Sequence, residues 1–210
     1  ADRLCRQLQA QPRLPHWIHA HYADAGYVGA LVARRLQLPL VFTGHSLGRE
    51  KRRRLLAAGL DSQLIEANYA LSTRIAAEEL ALAQAQLVVT STQHELDHQY
   101  ARYNKFRPDL ARVISPGVDS ALFHPVASTT ETLNHPLVAP FLRYPQRPPL
   151  LAICRADHRK NIPALLEVFA RSELLRENHN LVLVLGCRQD LRQLDKPPRE
   201  VLLQLFELID

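Results

Sequence analysis

The chain has 210 residues, of which 47% are hydrophobic and 22% charged, so it can bury a core and its composition excludes a disordered protein. A formal net charge of +5 favours acidic partners such as phosphorylated metabolites, a nucleic acid or an anionic membrane. No apolar run is long enough to span a membrane, no secretory signal is present, and the three widely spaced cysteines fit a reducing cytoplasm.

Short apolar runs alternate with longer periodic segments in the first half of the chain. Residues 16–20 and 39–43 are predicted as strands. The segment between them predicts a crossover helix entered through Gly26, whose apolar stripe consists of Val28, Leu31, Val32 and Leu36. This pattern predicts a β-α-β unit around a buried parallel sheet.

The same rhythm continues to residue 117. A helix is predicted over residues 64–83 and a strand over residues 87–90. Thr92 can cap a polar helix that begins near Gln93. Another short strand is predicted over residues 113–115, before a proline and a glycine.

Six prolines lie between residues 125 and 149, which predicts a linker. After it the sequence predicts strands over 150–154 and 181–186 and helices over 162–175 and 198–209. The fold class is therefore α/β, with a Rossmann-like parallel sheet followed by the beginning of a second Rossmann-like domain. The predicted domains are 1–124, the linker 125–149, and 150–210.

Three loops contain clusters of polar residues that are candidates for binding or catalysis. Ligands of open α/β sheets bind beyond the carboxyl ends of the strands. The loops at those ends are residues 19–26 (HAHYADAG), 43–51 (TGHSLGREK) and 155–161 (RADHRKN). The third loop precedes a helix, where free amides, the helix dipole and Arg155 or Lys160 could bind a diphosphate.

Some of these residues also allow simpler interpretations. His19 and His21 could bind a metal with Asp24, but a third and fourth ligand are not evident, so one histidine is predicted to lie in the core. The run 49–54 can be a solvated helix face in which Lys51 is the functional member. It contains no interleaved aromatic residue, which argues against nucleic acid as the partner.

The three loops closely resemble the sucrose-phosphate synthases, which are retaining glycosyltransferases with two facing Rossmann-like domains, the GT-B fold. The resemblance continues in the same order through three shorter motifs, at residues 74–79 (RIAAEE), 90–92 (TST) and 116–119 (PGVD). It therefore covers most of the chain. It implies transfer of glucose from UDP-glucose to fructose 6-phosphate with retention, in sucrose biosynthesis, without a metal or another cofactor.

The resemblance also implies roles for individual residues on the donor side. His45 matches the family histidine near the donor sugar. Arg155 and Lys160 match the pair that holds the donor diphosphate. These three are the predicted catalytic residues.

On the acceptor side, the resemblance implies a phosphate-binding pair. Lys51 and Arg74 match the basic positions that hold the acceptor phosphate, and Tyr22 and Asp24 would line the acceptor site. Sucrose synthase, which uses unphosphorylated fructose, is disfavoured by Lys51 and Arg74. Two alternatives stay open: a transferase using another nucleotide sugar, such as a mannosyl donor, and a non-catalytic module that binds a sugar phosphate.

The chain is expected to be an internal fragment of a longer enzyme. It starts with Ala1 and contains no methionine. The family's opening glycine-containing strand has no counterpart before Pro15, and its carboxylate-bearing nucleotide segment would lie beyond Asp210. We therefore expect the isolated chain to be inactive and its partner to be the remainder of its own enzyme, with neither a nucleic acid nor a membrane involved.

Overall fold

Strands and helices alternate along the chain as the sequence predicts. The computed structural model describes residues 1–125, 138–186 and 190–209. By its internal contacts the chain divides into two units, Ala1–Asp119 and Ser120–Asp210. Each unit contains its own parallel sheet.

The sheet of the first unit has four parallel strands in the order β1-β2-β3-β4. These strands are β1 (Ile18–His21), β2 (Leu40–Thr43), β3 (Leu87–Thr90) and β4 (Ala111–Val113). The helices around them are α1 (Asp2–Gln9), α2 (Tyr22–Leu36), α3 (Gly48–Ala57), α4 (Ser62–Tyr69), α5 (Leu71–Gln84) and α6 (Gln93–His98). Helix α1 was not anticipated from the sequence.

The strand predictions are confirmed, with shifts of two residues at the start of β1 and at both ends of β4. β1 begins at Ile18, whose partner is Leu40, because pairing starts only where β2 starts. β4 ends at Val113, because its partner strand β3 ends at Thr90. Thr92 caps α6 as predicted, since its side chain accepts a hydrogen bond from the amide of Glu95.

The prediction of one helix over residues 64–83 was wrong. The chain forms α4 and α5, which meet at Ala70, where φ is 44° and the backbone is left-handed. Asp61 fixes the start of α4 by accepting hydrogen bonds from the amides of Gln63 and Leu64. The apolar stripe therefore runs over two helices, because helical periodicity does not report a single left-handed residue.

Close packing of α2 on the sheet depends on small residues. Val32 is fully buried, whereas the other three residues of the predicted stripe are only half-buried. The side of α2 nearest the sheet contains Gly26, where an added Cβ would lie 2.6 Å from Cε2 of the fully buried Phe42. The helix therefore approaches the sheet more closely than a stripe of leucine and valine would allow.

The second unit contains one parallel strand pair. It consists of β5 (Pro149–Cys154) and β6 (Asn180–Leu185), followed or connected by α7 (Ile162–Arg171), α8 (Glu173–Asn178) and α9 (Lys196–Ile209). The prediction of a single helix over residues 162–175 was wrong, because Ser172 leaves the helical conformation and caps α8. The helix predicted over 198–209 begins two residues earlier, at Lys196.

The core of the second unit lies on one face of the strand pair. It is formed by Ala156, Ile162, Val201 and Leu205. Leu151 and Ile153 of β5 are 57% and 70% exposed. Cys154 is half-buried against this core with a free thiol, while Cys187 and residues 126–137 of the predicted linker lie outside the described residues.

The predicted α/β class with Rossmann-like parallel sheets is confirmed by these two sheets and by the helices that connect the strands. Within the described parts of the chain, every helix is too short or too polar to cross a membrane.

Gly26→Val should destabilise the first unit by about 1–3 kcal/mol, because a larger side chain must displace the Phe42 ring. Urea unfolding followed by the fluorescence of Trp17, the chain's single tryptophan, measures the change. Gly117→Val is the control, since an added Cβ there meets nothing within 4 Å. Equal losses for both variants would contradict the packing argument.

Candidate functional site

Strained backbone marks the carboxyl ends of β1 and β2. Tyr22 directly follows β1 with φ 64°, and His45 follows β2 with φ 55°. A positive φ costs a non-glycine residue of the order of 1–3 kcal/mol and persists only where surrounding contacts enforce it. Such strain concentrates at binding sites, so these two loops are candidates for function.

A buried carboxylate holds the loop after β2. Glu78 of α5 is fully buried and accepts hydrogen bonds from the amide of Gly48, at 3.0 and 3.1 Å to its two oxygens. It also accepts a hydrogen bond from Nε of Arg74, at 3.0 Å, and one from the hydroxyl of Tyr103. Because Gly48 is the first residue of α3, the carboxylate also interacts favourably with the positive end of that helix.

Two tyrosines fix the backbone of the same loop. The hydroxyl of Tyr100 accepts a hydrogen bond from the amide of Gly44, at 2.7 Å, and that of Tyr103 accepts one from the amide of Arg49, at 3.0 Å. Burial raises the pKa of Tyr100 to about 12 and moves the pKa of Tyr103 still further above its ordinary value. Both phenols therefore stay protonated under ordinary conditions.

A cavity of about 770 Å³ lies beside this loop. Three of the residues assigned to the acceptor side line it: Tyr22, Asp24 and Arg74. Ala70, the left-handed residue between α4 and α5, also lines it. The structure thus brings together residues at the starts of α2 and α5, which are about fifty positions apart in the sequence.

Arg74 has a double role in this arrangement. Its guanidinium binds Glu78 and the carbonyl oxygen of Ser46, so it holds the His45–Gly48 turn against α5. Its Nη1 has no hydrogen-bond partner within the described parts of the chain. One edge of the group is therefore structural, and the other is available to a ligand in the cavity that Arg74 lines.

Lys51 reaches the same region through an aromatic contact. Its Nζ lies 3.9 Å from the ring centroid of Tyr69, and Tyr69 lines the cavity. Such a cation–π contact orients an ammonium group without neutralising it. Sequence reasoning missed Tyr69, because no pattern distinguishes this tyrosine from an ordinary residue at a helix end.

The neighbouring arginines of α3 are paired with carboxylates, as the solvated-face interpretation requires. Arg53 and Arg54 bind Glu50, with their hydrogen bonds at 2.7–2.9 Å, and Arg52 binds Glu66. The hydrogen bonds from Arg53, the largest cause, lower the pKa of Glu50 to about 2. Within the described residues, Lys51 forms no ion pair, so its charge remains available.

Three imidazoles lie side by side at the ends of β1 and β2. The His19 and His21 rings are 4.1 Å apart, and Nδ1 of His21 lies 2.8 Å from Nε2 of His45. His45 in turn packs on the Tyr22 ring at 4.7 Å. The described residues contain no group of three or more histidine, cysteine, aspartate or glutamate residues arranged to bind a metal.

The prediction that His19 or His21 lies in the core was wrong. Both are exposed, and Ala20 between them is the buried residue of β1. Nε2 of His19 contacts Oγ1 of Thr43 at 2.9 Å instead of a backbone group. Partial burial, the largest cause, and the nearby His21 and His45 lower the pKa of His19.

In the second unit, the loop after β5 leads into α7 through a short helical turn, His158–Lys160. Asp157 caps this turn and binds Arg159 with both carboxylate oxygens, at 3.1 and 2.6 Å, which lowers the pKa of Asp157. Arg155 and Lys160 are exposed and form no ion pair within the described residues.

The start of α7 is open to an anion. Its N-cap residue is Asn161, in the left-handed conformation at φ 51°, and no side chain caps the helix. Free amides and the helix dipole therefore lie beside two uncompensated cations, Arg155 and Lys160.

The sequence also matches a family model over residues 2–122, that of Glycosyltransferase Family 4. The chain belongs to this family.

Sequence similarity to individual members of the family extends beyond residues 2–122. The probable sucrose-phosphate synthase 2 of Arabidopsis thaliana is 36% identical over 230 residues, covering 93% of this chain and 22% of that protein. A probable sucrose-phosphate synthase of Vicia faba is 36% identical over 232 residues, with the same coverage of 93% and 22%. The chain thus spans less than a quarter of the length of these relatives.

Solved structures of other proteins share the fold. The sucrose-phosphate synthase of Thermosynechococcus elongatus superposes with a TM-score of 0.61 at 26% identity, over 99% of this chain and 49% of that one. The Anabaena protein Alr3699/HepE, in complex with UDP-glucose, gives a TM-score of 0.63 at 19% identity, over 99% and 48%. At that identity the second likeness concerns the fold alone.

Glu78→Ala should destabilise the first unit by about 3–5 kcal/mol, because it leaves Nε of Arg74, the buried amide of Gly48 and the buried hydroxyl of Tyr103 without their acceptor. Urea unfolding monitored by Trp17 fluorescence measures this loss. Asp2→Ala, which removes the exposed ion pair with Arg35, is the control and should change stability by less than about 1 kcal/mol. A similar small change for both variants would show that Glu78 does not hold the loop.

Proposed function

We propose that the protein to which this chain belongs transfers glucose from UDP-glucose to fructose 6-phosphate with retention and yields sucrose 6-phosphate. The chain's membership of Glycosyltransferase Family 4 and its similarity to sucrose-phosphate synthases support a glycosyltransferase. The observation that carries the proposal for the acceptor is the cavity beside the loop after β2. We propose the first unit as the acceptor side, the second as the donor side, and the cytoplasm as the location.

The cavity is suited to a sugar phosphate. Its lining combines hydroxyl, carboxylate and guanidinium groups from Tyr22, Asp24 and Arg74. Lys51, held over the Tyr69 ring, adds a second positive charge near its edge. Arg74 is paired with Glu78, whereas Lys51 forms no ion pair within the described residues. Together they can bind a dianionic phosphate, while Tyr22 and Asp24 can bind sugar hydroxyls. A sugar without phosphate would use only the second set of contacts.

The donor diphosphate is assigned to the loop after β5. The uncapped start of α7 offers amides, and Arg155 and Lys160 offer charges that are not used in ion pairs of the described residues. As the bond between glucose and UDP breaks, negative charge develops on the leaving phosphate, and fixed cations stabilise it. His45 is assigned to the donor sugar. The proposal requires no protein nucleophile.

The acceptor assignment is tested by titrating the 210-residue chain with fructose 6-phosphate and with fructose in a calorimeter. Lys51→Gln should weaken binding of fructose 6-phosphate about tenfold or more, because it removes one charge-assisted hydrogen bond to the phosphate. Its effect on fructose should be negligible.

Arg53→Gln is the matched control on the same helix, because the guanidinium of Arg53 is already bound by Glu50. It should bind fructose 6-phosphate as the wild-type chain does. The acceptor assignment is wrong if wild type binds both sugars equally or if the two variants behave alike.

The donor assignment is tested in the same way with UDP-glucose and GDP-mannose. Arg155→Gln and Lys160→Gln should each weaken binding of UDP-glucose about tenfold or more, since each removes a charge from the diphosphate site. Arg159→Gln is the control, because Asp157 already binds that guanidinium. Stronger binding of GDP-mannose would identify the alternative donor, and unaltered binding by both variants would refute the site.

We propose that the isolated chain has negligible transferase activity. A coupled assay for release of UDP in the presence of both substrates measures it. Release at the rate typical of an intact transferase would contradict the proposal that further parts of the enzyme are needed.

A further inference from the structure

The hydrogen bond between His21 and His45 joins the two strained loops of the site. Nδ1 of His21 lies 2.8 Å from Nε2 of His45, and the two ring planes are inclined by only 18°. This contact uses one nitrogen of each ring. Nδ1 of His45 and Nε2 of His21 remain for other partners.

The number of protons on the pair determines what Nδ1 of His45 can do. A hydrogen bond between two imidazoles requires a hydrogen on one nitrogen and a lone pair on the other. When the pair carries one extra proton, its four nitrogens share three hydrogens and one lone pair. That lone pair must lie within the hydrogen bond, on either His21 or His45. In both arrangements Nδ1 of His45 carries a hydrogen.

The neutral pair has no such constraint. It has two hydrogens, and the bond can form with either ring as donor. If His45 donates through Nε2, its Nδ1 is an acceptor; if His21 donates, Nδ1 of His45 is a donor. A pair with two extra protons has no lone pair left, so the hydrogen bond breaks.

We propose that His21 is a positioning residue which, when the pair carries one extra proton, fixes Nδ1 of His45 as a hydrogen-bond donor to an oxygen of the nucleotide sugar. This inference rests on the proposed function for the identity of the ligand, because His45 is assigned there to the donor sugar. The contact between the two imidazoles and its proton count do not depend on that assignment.

The surroundings favour the singly protonated pair over the doubly protonated one. His19 on β1 lies 4.1 Å from the His21 ring, and Arg74 on α5 binds Ser46, the residue after His45. Tyr22 packs against His45, and Asp24, the nearest acidic residue in sequence, lies one turn further along α2. A second proton would add a positive charge to a pair that already carries one and would remove the hydrogen bond between the rings.

The imidazole nitrogens of the wild-type chain can be observed directly by ¹⁵N–¹H correlation spectra between about pH 8 and pH 5. When the pair has taken up one proton, Nδ1 of His45 should show the chemical shift of a protonated nitrogen, because the remaining lone pair lies within the hydrogen bond between the rings. His94 and His98 provide an internal reference: their rings stack at 4.3 Å without a hydrogen bond between their nitrogens, so neither ring fixes which nitrogen of the other carries a hydrogen.

Two variants test the role of His21. In His21→Asn, an amide replaces the imidazole, so the nitrogen chemical shifts of His45 should change. His98→Asn is the matched control and should leave the nitrogen chemical shifts of His21 and His45 as they are in the wild-type chain. An unprotonated Nδ1 of His45 in the singly protonated wild-type pair would overturn the proposal, as would nitrogen shifts of His45 that His21→Asn leaves unaltered.

Binding of UDP-glucose distinguishes failure of this inference from failure of the proposed function. Wild-type affinity should rise about two- to tenfold as the pair takes its first proton, and this rise should be absent in His21→Asn. Binding that is equally independent of pH in both proteins overturns the inference alone. A protonated Nδ1 of His45 without binding of UDP-glucose at any pH overturns the proposed function and the ligand named here.

Discussion

The buried carboxylate of Glu78 is the interaction on which the candidate site depends. It is fully buried, and its oxygens join the start of α3, the guanidinium of Arg74 and the hydroxyl of Tyr103. A buried charge is tolerated only when several donors compensate it. These donors come from three separate segments, so satisfying one carboxylate brings those segments to fixed positions. The loop that contains His45 and Ser46 is held at Gly48 by Glu78 and at Ser46 by Arg74.

Much of the fold was predictable because it follows from hydrophobic patterns. Continuous apolar runs indicated β2 and β3, and Thr92 indicated the start of α6, because these signals are local. The break at Ala70 was not predictable, since alanine is the best helix former. The contact across the break, in which the Glu66 carboxylate accepts hydrogen bonds from the amide of Ser72, is seen only in the structure. The exposure of His19 and His21 was also missed, because alternation along a strand does not reveal which face is covered.

The candidate site was likewise only partly predictable from the sequence. Tyr22, Asp24, Lys51 and Arg74 were identified through resemblance to a family, and the structure brings three of them to one cavity and the fourth to the tyrosine beside it. Composition or spacing alone would not have identified them. Glu78 lies four residues after Arg74, a spacing typical of helical ion pairs, but the sequence does not reveal that this pair is buried. The roles of Tyr69, Tyr100 and Tyr103 depend on contacts between distant segments.

The two tyrosines that hold the loop after β2 fix its backbone independently of the protonation of its histidine side chain. Tyr100 and Tyr103 bind backbone amides through phenols that keep their protons far into the alkaline range. The amides of Gly44 and Arg49 are therefore held by groups that keep their protons in acid and in weakly alkaline solution, whereas the amide of Gly48 is held by the carboxylate of Glu78. As long as Glu78 stays ionised, the imidazoles of His21 and His45 can gain or lose hydrogens without a change in these backbone hydrogen bonds. Protonation of the imidazoles then alters which atoms donate and accept at the tip of the loop while the geometry of its base stays constant.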